Sequence, residues 1–244
     1  MKVISFSLWG NNTMYTHGVI ENCKLVTSIY PGWVVWVYVD KTVPSDIIHA
    51  IQSEGGTIIY MDTHNTKFNI SQKYGTNTYI NGTWRFLPCM NDDVELFISR
   101  DCDSRISIRE ANLVNDWIAS DSEFHIIRDH RGHCDPILAG MFGVKRGVFY
   151  KLLLEKIEYF YSQYELTFNK NIDTTLKGID QELLAVLIYP NIKHSRMTHV
   201  SAGIAYDDDI IIPSPIDDNF IGQVYCDKYS IRTVFKYEAG VIKL

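Results

Sequence analysis

The chain has 244 residues, of which 46% are hydrophobic and 13% aromatic. That is enough for a sizeable core, so intrinsic disorder is excluded for most of the chain. Its 23 basic and 29 acidic residues leave a net charge of −6, and no basic stripe that would track a nucleic-acid backbone runs through it. An acidic balance still admits a phosphorylated small molecule, because a divalent cation can bring the positive charge. No apolar run approaches the ~20 residues that span a bilayer, so any membrane contact is expected to be peripheral. The first ten residues read as a strand rather than a signal peptide. The five cysteines, Cys23, Cys89, Cys102, Cys134 and Cys226, lack metal-finger and redox spacing. They read as reduced thiols of a cytoplasmic protein. On that reading the Asn-x-Ser/Thr triplets beginning at Asn11, Asn69 and Asn81 carry no glycan.

The predicted elements alternate. Residues 3–9 form a short apolar strand, followed by the turn-prone Gly10-Asn11-Asn12-Thr13. A helix over about 17–29 is stopped by Pro31-Gly32. Val34-Val35-Trp36-Val37-Tyr38-Val39 has the continuous β-branched and aromatic character of a strand buried on both faces. Pro44 opens a helix to about Glu54, Gly55-Gly56 closes it, and residues 57–61 form a third strand. Residues 62–83 are polar and read as a loop and candidate mobile segment. A fourth strand covers 94–98, then a helix 107–119, strands 124–127 and 140–144, and helices 148–164 and 180–187. Beyond Pro190 the chain reads as irregular, with short strands. This alternation predicts a single α/β/α sandwich of the Rossmann type with a mainly parallel central sheet. Ligands in such sheets bind beyond the carboxyl ends of the strands. That rule singles out Trp9-Gly10, Asp40, Asp101–Asp103 and Asp129–His133.

Asp101-x-Asp103 is the centre of the chemistry. Two carboxylates at a strand end can share one hard divalent cation that also binds phosphate oxygens. A second Asp-x-Asp at Asp207–Asp209 shows how easily the pattern arises, but it lies in a triple-Asp turn. The plain alternative for the first pair is a solvated turn with a helix-capping Asp. Asp129-His130-x-x-His133 can likewise bind a metal, or only satisfy its own loop. Asp180 in Gly178-Ile179-Asp180-Gln181-Glu182 can instead be an N-cap or a first-turn acid favoured by the helix dipole. Arg85, between Trp84 and Phe86, can neutralise a diphosphate or carboxylate, or lie along the surface. Neither Gly-x-Gly-x-x-Gly nor a Gly-x-x-x-x-Gly-Lys-Ser/Thr loop occurs, and Gly-x-Ser-x-Gly is absent too.

The segment Phe97-Ile98-Ser99-Arg100-Asp101-Cys102-Asp103-Ser104-Arg105 resembles the metal-site segment of compact GT-A glycosyltransferases found in large DNA viruses and some bacteria. Ser7-Leu8-Trp9-Gly10 with Tyr15-x-x-Gly18, Tyr30-Pro31-Gly32-Trp33, and Trp84-Arg85-Phe86-Leu87-Pro88 resemble the same family in the same order. So do Arg128-Asp129-His130-x-x-His133 through Gly143, Gly178-x-Asp180-Gln181 and Tyr189-Pro190. The match covers roughly residues 3–190 and weakens over the last 50.

The resemblance implies one GT-A domain over 1–244, with a nucleotide-binding part to about 105 and a sugar and acceptor part beyond. It implies a transferase that moves a sugar from a UDP- or GDP-type donor to a glycan or other hydroxyl acceptor. Ser7, Leu8, Trp9 and Tyr15 would hold the nucleotide, and Arg85 would sit near the donor. Asp101 and Asp103 would carry Mn²⁺ or Mg²⁺, with His194 or His199 as a further ligand. His130 and His133 would line the sugar side, and Asp180 and Gln181 would serve catalysis. Its location would be cytoplasmic, the host's cytoplasm for a viral protein. Three competing readings stand beside it: a nucleotidyltransferase, a metal hydrolase built on His130 and His133, and a silent nucleotide-sugar-binding module.

Overall fold

A computed structural model describes residues 1–63, 68, 79–168, 177–216, 219–226 and 240–243. In chain order its elements are β1 (Lys2–Leu8), α1 (Thr13–Ile29), β2 (Val34–Val39), α2 (Ser45–Ser53), β3 (Gly56–Tyr60), a 3₁₀ helix (Tyr79–Met90), β4 (Leu96–Arg100), α3 (Ile108–Ile118), β5 (Phe124–Arg128), β6 (Met141–Lys145), α4 (Val148–Phe168) and α5 (Ile179–Leu183). The last helix runs on into a π turn, Leu184–Ile188. Then come β7 (Arg196–Val200), β8 (Ala202–Ala205), β9 (Ile210–Ile211) and β10 (Gly240–Lys243).

Eight strands form one sheet in the order β3-β2-β1-β4-β6-β5-β7-β9, and β8 pairs with β10 separately. Every neighbouring pair in the large sheet is parallel except those of β6, which runs antiparallel to both β4 and β5. The expected α/β sandwich with a mainly parallel sheet is therefore what forms.

Alternation along the strands sorts side chains into two cores. Ile4, Phe6 and Leu8 of β1 pack with Val35, Val37 and Val39 of β2 beneath α1, α2 and α3. Val3, Tyr38, Phe97 and Phe142 face the other way, onto Trp84 and Phe86 of the 3₁₀ helix and onto α4 and α5. Period-two alternation sends Ser5 and Ser7 to that second side as well.

Several boundaries differ from expectation, three of them with a clear physical reason. The first helix begins at Thr13 rather than 17, because the Asn12 side chain caps it by accepting the Met14 N–H at 3.0 Å. The fourth strand is displaced two residues, to Leu96–Arg100. Its end carries Arg100, whose charge is buried against Glu110 at 2.8 Å, with Tyr30 donating to the same carboxylate at 2.9 Å. The segment expected as loop over 62–83 is helical from Tyr79 onward, and Ile80–Thr83 are buried. Its polar residues are used inward: Thr83 shares a 2.6 Å bond with Tyr161. Residues 64–67 and 69–78 of that stretch, Asn69 included, lie outside the described residues.

Cys23, Cys89 and Cys102 are buried thiols, while Cys134 and Cys226 are exposed; none is in a disulfide. Asn81 is fully buried. Among the described residues no helix is long and apolar enough to cross a membrane.

Candidate functional site

At the carboxyl ends of β1 and β4 the structure opens a cavity of about 540 Å³. Ser7, Leu8, Trp9, Tyr15, Arg85, Asp101, Asp103, His133, Asp180 and Gln181 all line it. Residues far apart in sequence meet because β1 and β4 are sheet neighbours, with the 3₁₀ helix packed on both and α5 packed on that helix.

The turn after β1 is braced from outside the cavity. Gly10, at φ 70°, donates its N–H to the Thr42 hydroxyl at 2.6 Å. Asp40 accepts from the Thr42 N–H at 2.9 Å and also bonds the Thr42 hydroxyl. Asp40 thus holds the turn and is not itself among the lining residues. Tyr15, in the first turn of α1, faces the cavity. Its hydroxyl pKa is pushed up to about 12 by burial and the nearby Asp103 carboxylate.

The turn after β4 is pinned on both sides. The Cys102 thiol donates to the Ser7 carbonyl at 3.2 Å. Asn22 donates to the Ser104 carbonyl at 2.9 Å and accepts from the Ile106 N–H at 3.1 Å. The Tyr225 N–H donates to the Asp103 carbonyl at 2.8 Å. Both carboxylates are then presented to the cavity. Burial, and next the charge of Asp101, push Asp103 up to about 6.

Arg85 is the hub. It is buried, not laid along the surface. Its guanidinium bonds Asp101 and donates to Asp180 at 2.7 Å. Burial alone would weaken its charge, but those two carboxylates more than offset this, so its pKa is raised. Asp180 is raised by burial, with Arg85 opposing. Asp180 is not the helix cap, since Gly178 occupies that position at φ 100°, but it is an acid of the helix's first turn.

Two glycines make room for the carboxylates. A Cβ on Gly82 would lie 2.6 Å from Asp180 Oδ2, and one on Gly140 would collide with the Asp101 carboxylate.

Other expected residues also carry structural bonds. The Gln181 amide is taken up by backbone: its oxygen accepts from the Ala139 N–H at 2.8 Å and its nitrogen donates to the Ile137 carbonyl at 2.6 Å. His130 is buried, stacks on Phe220 at 4.2 Å between centroids and does not line the cavity. His130 Nδ1 accepts from the Gly132 N–H at 2.9 Å, and His133 Nδ1 accepts from the Asp129 N–H at 3.2 Å. Both rings are thereby fixed with the proton on Nε2, which cannot ligate a metal in that form. The His133 pKa is lowered by burial and then by His130. Asp129 accepts from Arg109 at 2.9 and 2.7 Å, from Ser201 at 2.5 Å and from the Ile221 N–H at 2.9 Å. The loop is densely bonded, and among the described residues no group of three His, Cys, Asp or Glu gathers there to hold a metal ion.

His199 lies in the sheet, 2.8 Å from His125 Nε2, and His194 is exposed; neither lines the cavity. In the second Asp-x-Asp, Asp209 is an interior anchor between Arg128 and Arg196, the latter at 3.1 Å.

The donor set suits a hard divalent cation. Asp101 and Asp103 offer carboxylate oxygens from one turn into an open cavity. Among the described residues no third His, Cys, Asp or Glu joins them. A magnesium- or manganese-type ion tolerates this, because it keeps water or phosphate oxygens in most of its positions.

Sequence reasoning missed Tyr79, Gly82, Gly140, Lys177 and Gly222, which also line the cavity. A glycine that clears a carboxylate has no local pattern, so only the folded contact shows its role. Asn22, hidden in a helix, likewise gave no signal.

No family model and no curated protein matches the chain. Solved structures do align. The galactosyltransferase LgtC, in complex with donor and acceptor sugar analogs, aligns over 85% of this chain and 76% of its own at 16% identity and TM-score 0.48. S. aureus TarS aligns over 81% of this chain at 12% identity and TM-score 0.48. The mannosyltransferase PcManGT of Pyrobaculum calidifontis, in complex with GDP-Man and Mn²⁺, aligns over 89% at 10% identity and TM-score 0.47. The chain spans 57% of the length of TarS and 58% of that of PcManGT.

Proposed function

We propose that the protein is a divalent-metal-dependent glycosyltransferase of the GT-A type, moving a sugar from a nucleoside-diphosphate donor to a hydroxyl acceptor. The observation that carries this reading is the convergence of Asp101, Asp103 and Asp180 around the buried Arg85 in one cavity at the sheet's carboxyl edge. The nucleotide enters along the Leu8–Asn12 turn with Tyr15 and Tyr79 beside it. Asp101 and Asp103 hold the cation, which when bound supplies positive charge to the diphosphate leaving group without proton transfer. The sugar then lies toward Asp180, Gly140 and His133.

Asp180 supports developing positive charge at the anomeric carbon through its carboxylate. It is ill suited as a free base, because Arg85 already holds one of its oxygens. Gln181 fixes residues 137–139, and with them the cavity wall beside Gly140. The single domain divides functionally near residue 105, with the nucleotide part before it and the sugar and acceptor part after.

A thermal-shift panel of uridine, guanosine, cytidine and thymidine diphosphates, each with and without Mn²⁺, tests the reading. A ligand at 100 times its Kd adds about 2.7 kcal/mol, a shift of several degrees for a domain of this size. A Mn²⁺-dependent shift for one base supports the transferase and names its donor class. No shift for any base with metal present refutes it.

A further inference from the structure

We propose that Ser7 is a positioning residue, whose hydroxyl sets the Arg85 guanidinium against Asp101 and Asp180 instead of contacting the nucleotide. The inference rests on the transferase reading above. Ser7 sits on the face of β1 that meets the 3₁₀ helix, and it is nearly buried. A hydroxyl there costs free energy unless it is bonded. It is bonded on both sides: the Arg85 N–H donates to it at 2.8 Å, and it donates to the Gly82 carbonyl at 3.1 Å. Those two backbone groups are the i and i+3 partners of one 3₁₀ turn. Ser7 bridges that turn from another element, so β1 dictates where the turn lies.

This matters because, among the described residues, the Arg85 side chain is hydrogen-bonded at its Nη atoms alone. Its Nη atoms reach Asp101, the Arg100 carbonyl at 3.2 Å and Asp180, while the buried Nε finds no acceptor. Apart from the Phe86 ring, 5.9 Å from the guanidinium carbon, no polar contact along the stem fixes where the guanidinium sits among the described residues. Gly82 itself backs onto Asp180, so the one hydroxyl fixes both the residue that orients Asp180 and the residue that Asp180 packs against. The Ser7 carbonyl also accepts from Cys102, which ties the same strand end to the metal turn.

The test uses Ser7→Ala, Ser7→Thr and Arg85→Lys in the full chain, with three readouts. Turnover is measured on a panel of UDP- and GDP-sugars with Mn²⁺. Binding of UDP and GDP with Mn²⁺ is measured by calorimetry. The arginine Nε–H signals are followed by ¹⁵N NMR, with the Arg85 signal identified by its loss in Arg85→Lys. In Ser7→Ala, kcat is expected to fall about tenfold to a hundredfold, the scale of a small misplacement. KM and nucleotide affinity should stay within about threefold, as for a residue that does not contact the donor. The Arg85 signal should move or broaden while the other arginine signals hold, and Ser7→Thr should restore both. A wild-type kcat, a loss confined to KM, or an unmoved Arg85 signal in Ser7→Ala overturns the proposal. Ser7→Cys keeps the volume and weakens both bonds, and it replaces Ser7→Ala if that variant does not fold. If the wild type turns over no donor, the transferase reading fails, and the Arg85 signal still decides what Ser7 does.

Discussion

Arg85→Met removes the cation from between two carboxylates at nearly constant volume, and its cost can be bounded from the structure. Asp101 is a small part of it, because 42% of its side chain is exposed and water takes over from the guanidinium. Asp180 is the large part: its side chain is 13% exposed and loses a 2.7 Å partner. A buried carboxylate without a partner has an escape, which is to protonate. Protonating a group of ordinary pKa near 4 at pH 7 costs about 4 kcal/mol, so the penalty cannot much exceed that. It falls within the range seen when one member of a buried pair is removed, about 3–5 kcal/mol.

The escape makes the cost depend on pH. In the variant the folded-state pKa of Asp180 rises further above its unfolded value, so the folded state binds the extra proton. The destabilisation should therefore shrink as pH falls, to roughly 1–2 kcal/mol at pH 5. Urea denaturation of wild type and variant at pH 7 and pH 5 measures both numbers. A cost under about 1 kcal/mol at pH 7, or one that is the same at pH 5, would refute the view that Arg85 neutralises a buried Asp180.

Asp103→Ala should abolish Mn²⁺-dependent nucleoside-diphosphate binding in calorimetry and leave the far-ultraviolet spectrum unchanged; surviving binding would move the metal elsewhere. The second Asp-x-Asp should split cleanly in denaturant. Asp207→Ala is expected to be neutral within about 0.5 kcal/mol. Asp209→Ala strands Arg128 and Arg196 and should cost about 3–5 kcal/mol. Below pH 6.5 the protein should lose stability through the buried His125–His199 pair. Burial lowers both pKa values. Next in effect for His125 come His199, Arg100 and Lys145, while for His199 Asp116 opposes. The unfolded chain then takes up protons first as pH falls, and each unit of depression contributes about 1.4 kcal/mol of lost stability. Replacing His125 with Gln should flatten the change between pH 7.5 and pH 5, and an equally steep loss would place the effect elsewhere.

Much of the site was readable because strand ends are. Trp9, Asp101 and Asp103 follow apolar runs, and the parallel-sheet rule carries such positions to one edge without any contact being known. Asp180 and Arg85 were readable only through the resemblance, since each has an ordinary local explanation. The structure removes the surface explanation for Arg85 and pairs the two side chains with each other, while Asp180 keeps its place in the first turn of α5. His130 and Gln181 show the limit of that reasoning. A motif position says which residue type stands there, and not which partners its polar atoms meet. His130 Nδ1 meets the Gly132 N–H, and the Gln181 amide meets the backbone of residues 137–139.

The least legible feature is the one that lets the carboxylates gather. Arg85 can grip Asp101 and Asp180 together only because Gly82 and Gly140 present no Cβ where those side chains must lie. Neither glycine has a positive φ, so backbone conformation does not explain them and turn rules could not have found them. Their role is space, and space belongs to pairs of residues roughly 40 to 100 positions apart. The same holds for Ser7, whose partners lie 75 and 78 residues away. The sequence pattern sets which strand ends meet. Long-range fits of single atoms, invisible to any local period, set whether the three carboxylates there can act on one ligand.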